Sequence, residues 1–150
     1  MRMLDKLLQG VEVRSLVGDG TVAVGRLEFD SRKVVPGTLF FATRGTQADG
    51  HAYIPAAVAA GAAAVVCEEL PAERPVGVTF VQVPDSTVAL GQVASAFYGH
   101  PSRRLKLVGV TGTNGKTTTA TLLYRMFRRL GYKAGLISTV VYCVDEREIP

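Results

Sequence analysis

The stretch KLVGVTGTNGKTTTATLL, residues 106–123, decides how this chain is interpreted. It opens with a β-rich run, Lys106–Val110, passes through a glycine-containing turn and continues as a helix predicted from about Gly115 to Leu130. In that helix, leucine, methionine and phenylalanine recur at three- and four-residue spacing, which is typical of an amphipathic helix. The next run, Lys133–Val140, is predicted to be a strand. The pattern therefore predicts one βαβ unit, which needs further strands and helices to complete a parallel sheet.

The turn between that strand and that helix has the composition of a phosphate-binding loop. Gly112 and Gly115 allow the backbone to turn tightly and to bring its N–H groups against phosphate oxygens. The helix N-terminus adds free N–H groups and the positive end of its dipole. Lys116 would reach the β- and γ-phosphates as the catalytic group, and the Thr117 hydroxyl would bind Mg²⁺. Phosphate groups of a nucleotide are therefore the expected ligand, and the Thr118 hydroxyl would add a further contact.

The match to the general pattern G-x-x-x-x-G-K-[ST] is imperfect, because its first glycine would fall at Val110. The alternative is a glycine-rich turn that binds nothing. That alternative is weak, since a lysine at a helix N-terminus opposes the dipole and needs an anionic partner.

Residues 1–104 are predicted to form a small α/β domain, and residues 105–150 to begin a second domain that is incomplete here. A linker is placed at Gly99–Ser102, where glycine and proline end a helical pattern. The predicted strands of the first domain are Leu27–Asp30, Thr38–Ala42, Ala62–Cys67 and Val78–Val83. The predicted helices are Met3–Gln9, Ala52–Ala60 and a segment capped by Asp85 or Ser86 that runs to about Tyr98.

Two polar loops lie beside apolar strands of the first domain. Phe29–Arg32 lies at the end of the first strand, and Gly45–His51 comes after the second. If these two strands are neighbours in the sheet, both loops leave the same edge. Asp30 and Ser31 are as typical of a cap or turn as of a ligand site. His51, like the other histidine, is interpreted as structural.

Composition excludes several classes of protein. Hydrophobic residues make up 47% of the chain and charged residues 20%, as in a soluble folded protein. The longest uncharged run, 52–67, is shorter than the ~20 residues that span a bilayer, and no secretory signal is visible. Two cysteines without metal-ligand spacing indicate reduced thiols and a cytoplasmic protein.

Charge is unevenly distributed. Residues 101–144 contain eight lysines and arginines and no acidic residue, whereas residues 1–100 contain eight basic and ten acidic residues. The asymmetry favours two units, of which the second binds phosphate groups. Nucleic acid is the alternative partner, but no aromatic platform accompanies Arg125, Arg128 and Arg129, and an ion-paired or solvated helix face is the expected arrangement.

The motifs together resemble the Mur ligase family over about Leu16 to Val140. They are Asp30-Ser31-Arg32, the Pro36–Phe40 turn and strand, Asp49-Gly50-His51, and Val110–Thr119 with its glycine loop. Within the family, the Gln47–Gly50 segment and the Thr113-Asn114 pair favour the branch that adds the third amino acid of the peptidoglycan stem peptide.

The resemblance implies an enzyme of three domains that forms an amide bond with ATP through an acyl phosphate. Its substrate would be UDP-N-acetylmuramoyl-L-alanyl-D-glutamate, and Gly112–Thr118 would hold ATP and Mg²⁺. The uridine part would be contacted by Phe29, Ser31, Thr46, Gln47 and Ala48. Other residues that the family needs would lie beyond Pro150, so the 150-residue chain is expected to be inactive by itself. The alternatives are the branch that adds D-alanyl-D-alanine, or a non-catalytic module that binds a nucleotide or a UDP-sugar; the oligomeric state and the added amino acid stay open.

Overall fold

The computed structural model describes residues 1–45, 48–145 and 147–149. The chain divides into two compact units, Met1–Leu105 and Lys106–Pro150.

The first unit contains seven described strands, three α-helices and three short 3-10 helices. The strands are β1 (Arg2–Met3), β2 (Ser15–Val17), β3 (Ala23–Val24), β4 (Arg26–Glu28), β5 (Thr38–Phe41), β6 (Ala62–Cys67) and β7 (Thr79–Gln82). The α-helices are α1 (Leu4–Leu7), α2 (Ile54–Ala59) and α3 (Ser86–Phe97), and the 3-10 helices are Ser31–Lys33, Gly50–Tyr53 and Pro101–Arg104.

Five of these strands form one sheet in the order β2-β7-β6-β5-β4. Strands β4 to β7 are parallel, and β2 adds an antiparallel edge. All four residues of β5 are buried, as is typical of a parallel strand covered on both faces. The predicted α/β class is confirmed, and β4 and β5 are hydrogen-bonded neighbours.

The core lies on both faces of this sheet because neighbouring residues of each strand point to opposite sides. Leu39 and Phe41 pack with α1 and α3 on one face, whereas Phe40 packs with α2 on the other. Asp85 caps α3 by accepting the N–H groups of Thr87 and Val88, both at 2.8 Å, so the predicted cap is confirmed.

The second unit consists of α4 (Lys116–Arg129) and a three-stranded antiparallel sheet. Its strands are β8 (Gly135–Ile137), β9 (Tyr142–Val144) and β10 (Arg147–Ile149), in the order β10-β9-β8. The predicted helix is confirmed, but the strand predicted over Lys133–Val140 is shorter and belongs to this antiparallel sheet.

The prediction of a strand at Lys106–Val110 was wrong for this structure, since none of those residues belongs to a strand. A parallel strand obtains its hydrogen bonds only from neighbouring strands. No described strand lies against this segment, and Leu107 and Val108 are exposed. The βαβ unit is therefore not formed here, although its helix is.

The apolar stripe on α4 is present in the sequence but stays largely exposed; Leu122, for example, is 61% exposed. On the opposite side, Arg128 pairs with Asp145, which fits the expected ion-paired face. None of the described helices is long and apolar enough to cross a membrane; α4, the longest, has 14 residues.

Candidate functional site

Two groups of predicted site residues lie at the carboxyl ends of the parallel strands in the first unit. Phe29 directly follows β4, and the residue is 64% exposed. Ser31 opens the 3-10 helix that comes next, after Asp30, whose side chain accepts the N–H of Arg32. Because β4 and β5 are hydrogen-bonded parallel neighbours, the segments that follow them leave the same edge of the sheet.

Residues 44, 45, 48 and 49 follow β5, and we call these four described residues the edge loop. Arg44 and Asp49 form an isolated antiparallel bridge at its base, and the N–H of Gly45 donates to the carbonyl of Ala48 at 2.9 Å. Ala48 is exposed. The predicted site residues Thr46 and Gln47 lie outside the described residues.

A polar network that the sequence did not reveal anchors the edge loop to the end of β6. His51 Nδ1 lies 2.6 Å from Asp49 Oδ1, and His51 Nε2 accepts the backbone N–H of Glu68 at 2.9 Å. The carboxylate of Glu68 in turn accepts the backbone N–H and the hydroxyl of Ser86, at 3.0 and 2.9 Å. These contacts join the segments that follow β5, β6 and β7.

Charges in this network are paired. Arg44 lies against Asp49, Glu68 and Glu69, and its pKa is raised, chiefly by the hydrogen bond to Glu69. The pKa of Asp49 is lowered because the backbone N–H and the ring of His51 both donate to its carboxylate. Both shifts favour the charged forms of Arg44 and Asp49.

Asp30, beside the predicted substrate contact Ser31, also has a lowered pKa. The guanidinium and the backbone N–H of Arg32 hold its pKa at about 2, against a usual 3.8. Its carboxylate is thus committed to the 3-10 helix and to Arg32, as the cap reading of Asp30 predicted.

The glycine loop of the second unit has the backbone that a phosphate group needs. Gly112 and Gly115 have φ angles of 146° and 75°, which L-residues with side chains rarely adopt. Gly115 is the N-cap of α4, and no side chain caps this helix. Lys116 begins the helix, and its Nζ donates to the carbonyl oxygens of Gly112 and Thr113 at 2.5 and 3.3 Å.

The N–H groups in this loop are available to a ligand. From Thr113 to Thr118 none of them has an acceptor among the described residues, and the first helical cap bond is from Thr119 to Gly115. All of these residues are exposed except Thr117, which is partly buried. Such a loop suits a polyphosphate, because its N–H groups are free to donate and its glycines have no Cβ in the way. Its lysine has no carboxylate partner in the described part of the chain.

The sequence identified the glycine loop from local signals but missed the His51 network. His51 and Glu68 are 17 residues apart, and Glu68 and Ser86 are 18 apart, so no local pattern joins them. The available signal was Asp49-Gly50-His51, an aspartate that caps the turn after it by accepting the N–H of His51. Among the described residues, no cluster of three His, Cys, Asp or Glu side chains could hold a metal ion.

Comparison with protein families gives two matches. The model described as "Mur ligase family, catalytic domain" matches residues 24–98, half of the chain, and "Mur ligase middle domain" matches residues 110–149.

Two relatives carry the name UDP-N-acetylmuramoyl-L-alanyl-D-glutamate--2,6-diaminopimelate ligase. The protein of Bacteroides thetaiotaomicron is 52% identical over 99% of this chain and 31% of its own length. That of Bacteroides fragilis is 55% identical over 98% of this chain and 30% of its own length. The chain therefore spans about 30% of the length of these relatives.

Solved structures agree in fold. A structure of a ligase with the same name matches all of this chain and 30% of its own at a TM-score of 0.73 and 23% identity, which bears on the fold alone. The MurF ligase of Thermotoga maritima, in complex with ADP, matches 69% of this chain and 23% of its own at a TM-score of 0.53 and 30% identity.

Proposed function

The chain belongs to the Mur ligase family, and from that premise we propose that the complete protein is an ATP-dependent ligase. Its substrate is UDP-N-acetylmuramoyl-L-alanyl-D-glutamate, to which it adds the third amino acid of the peptidoglycan stem peptide. The observation that carries this proposal is the 52% identity, over 99% of the chain, to a relative named for that reaction. The relatives' names favour 2,6-diaminopimelate as the added amino acid.

We propose that residues 1–104 are the domain that binds the UDP end of the substrate. The proposed contacts are Phe29, Ser31 and Ala48, which the structure describes, together with Thr46 and Gln47. The exposed ring of Phe29 offers a stacking surface for a base. Support comes from the edge of the sheet, because ligands of parallel α/β sheets bind beyond the carboxyl ends of the strands.

Residues 105–150 are proposed to begin the ATP-binding domain, with Gly112–Thr118 as the phosphate loop. ATP supplies the γ-phosphoryl group that activates the substrate carboxylate as an acyl phosphate. Within this chain, the free N–H groups of the loop bind phosphate oxygens, and Lys116 neutralises charge on the transferred group as the catalytic residue. The Thr117 hydroxyl is the Mg²⁺ ligand, and Thr113, Asn114 and Thr118 hold the nucleotide.

A reaction that uses ATP and a UDP-linked sugar takes place where both are made, so we propose a cytoplasmic location. Nucleic acid is not a proposed partner. Support comes from Arg128, which is committed to Asp145 within the second unit.

The test is ligation by the complete protein, followed by chromatography of the UDP-linked product. We expect ADP, phosphate and the tripeptide product with UDP-N-acetylmuramoyl-L-alanyl-D-glutamate, ATP and 2,6-diaminopimelate. Product only from the UDP-linked tripeptide and D-alanyl-D-alanine would assign the protein to the other branch. Binding of nucleotides without turnover would indicate a non-catalytic module and contradict the proposal.

A further inference from the structure

His51 is held in one tautomer by the contacts of its two ring nitrogens. A backbone N–H only donates, so Nε2, which accepts the N–H of Glu68 at 2.9 Å, carries a lone pair and no proton. The proton of a neutral ring then lies on Nδ1, which faces Asp49 Oδ1 at 2.6 Å. The side chain is 14% exposed, which leaves little of the ring available to a ligand.

The ring spans two chain segments that leave adjacent parallel strands. Asp49 is the last residue of the edge loop, which follows β5, and Glu68 directly follows β6. The edge loop is closed at the same place, since the N–H of Gly50 donates to the carbonyl of Thr43 at 2.8 Å. His51 therefore fixes the end of the edge loop to the end of the neighbouring strand.

The groups around His51 come from three segments. Arg44 and Asp49 belong to the edge loop, and Glu68 and Glu69 follow β6, with Arg44 against all three carboxylates. Ser86, at the start of α3, donates to Glu68. The hydrogen bonds from Ser86 thus fix the position of Glu68, and with it the position of the N–H that donates to the His51 ring.

We propose that His51 is a positioning residue for the uridine-containing substrate. Through the N–H of Glu68 it sets the position of the edge loop, where Ala48 lies one residue before Asp49, and it contacts neither substrate nor ATP. The inference rests on the proposed function of that loop. Loss of the acceptor nitrogen weakens binding of the UDP-linked substrate and leaves the glycine loop, which belongs to the other unit, unchanged.

Three substitutions of His51 in the complete protein separate its two contacts. His51→Gln keeps an acceptor near the position of Nε2, His51→Asn keeps a donor near Nδ1, and His51→Ala removes both. Since one hydrogen bond contributes about 1 kcal/mol, we expect His51→Ala and His51→Asn to raise KM for the UDP-linked substrate roughly five- to tenfold. His51→Gln restores most of the loss, whereas kcat and KM for ATP change less than about twofold. The matched control is His100→Ala. His100 lies after the C-terminal end of α3, whereas the His51 network contacts α3 at its first residue, Ser86.

Thermal denaturation of each variant and the ¹⁵N shifts of the wild-type ring accompany the kinetics. A bare Nε2 and a protonated Nδ1 support the inference, and the opposite tautomer overturns it. Equal KM in all three variants, or a fall in kcat that follows the loss of thermal stability with no rescue by glutamine, also overturns it and leaves the proposed function intact. If wild-type protein binds no UDP-linked substrate, the proposed function and this inference fail together.

Discussion

The ammonium group of Lys116 donates to the carbonyl oxygen of Gly112, with 2.5 Å between Nζ and O. The lysine at the start of α4 is thus folded back over the loop that precedes the helix. Both of its acceptors are carbonyls of exposed residues, so phosphate oxygens can replace them without breaking a buried contact. A positive charge held this way is placed for a polyphosphate bound at the helix N-terminus.

Replacing Lys116 by alanine removes the only cation of the glycine loop. In the complete protein we expect kcat to fall about 10²- to 10³-fold or more, because electrostatic stabilisation of the transferred group is lost. Lys133→Ala is the matched control, as Lys133 is an exposed lysine of the same unit outside the loop. A Lys116→Ala enzyme that turns over at the wild-type rate under saturating ATP contradicts the assignment.

Replacing Thr117 by alanine is expected to weaken binding of Mg²⁺ while leaving the fold unchanged. In the proposed site the side chain would supply one oxygen ligand, and the substitution leaves the glycine backbone untouched. The measurement is the Mg²⁺ concentration for half-maximal turnover, which should rise. Thr119→Ala is the control, since Thr119 is exposed and lies past the loop. An equal response of the two variants would remove Thr117 from the metal site.

Gly50 is predicted to tolerate no side chain. A Cβ there would lie 2.6 and 2.7 Å from the carbonyl oxygen and nitrogen of Thr43, and backbone atoms cannot rotate away. We expect Gly50→Ala to lower the free energy of unfolding by about 1–3 kcal/mol. Gly91→Ala is the matched change, because its Cβ would meet open space in the middle of α3, and it should raise stability by roughly 0.5–1 kcal/mol. Denaturant titration measures the free energy of unfolding of both variants. If both substitutions changed it in the same direction, the result would contradict the packing described around the edge loop.

The carboxyl group of Asp30 is expected to titrate with a midpoint near 2, because its pKa is lowered by Arg32. A carboxyl group with a depressed folded-state pKa stabilises the protein above its unfolded value, and this contribution disappears as pH falls through the folded value. Arg32→Ala should move the midpoint upward toward 3.8, although the backbone N–H remains. Arg26→Ala, which removes the pair with Glu28 instead, should leave it unchanged. Carbon-detected NMR titration measures the midpoint of the Asp30 carboxyl group in the wild-type protein and in both variants. A wild-type midpoint near 4 would contradict the cap that Asp30 forms with Arg32.

Local signals predicted those parts of the fold that depend on neighbours in sequence. Ala62–Cys67 is an apolar run between a glycine and two glutamates, and the strand has those bounds. Asp85 is a capping residue before an apolar helical pattern, and it caps α3. The glycine loop and α4 follow from the same kind of pattern.

Other parts depend on contacts that no local window contains. Lys106–Val110 has the composition of a strand, but a strand also needs a neighbour, and the described residues supply none. His51 was interpreted as an isolated structural histidine, whereas its position in the network depends on Glu68, a residue of the next strand's end. Sequence spacing reveals a cap or a loop, but it does not reveal which strand ends meet at one edge of a sheet.

We propose that this chain carries a uridine site in its first unit and an ATP site in its second. The test is chemical-shift mapping of the labelled 150-residue chain with UDP-N-acetylmuramic acid and, separately, with Mg·ATP. We expect the uridine compound to shift signals around Phe29, Ser31 and Ala48 only, and Mg·ATP to shift those of Gly112–Thr118 only. The same residues responding to both ligands, or no response in the glycine loop to Mg·ATP, would contradict it.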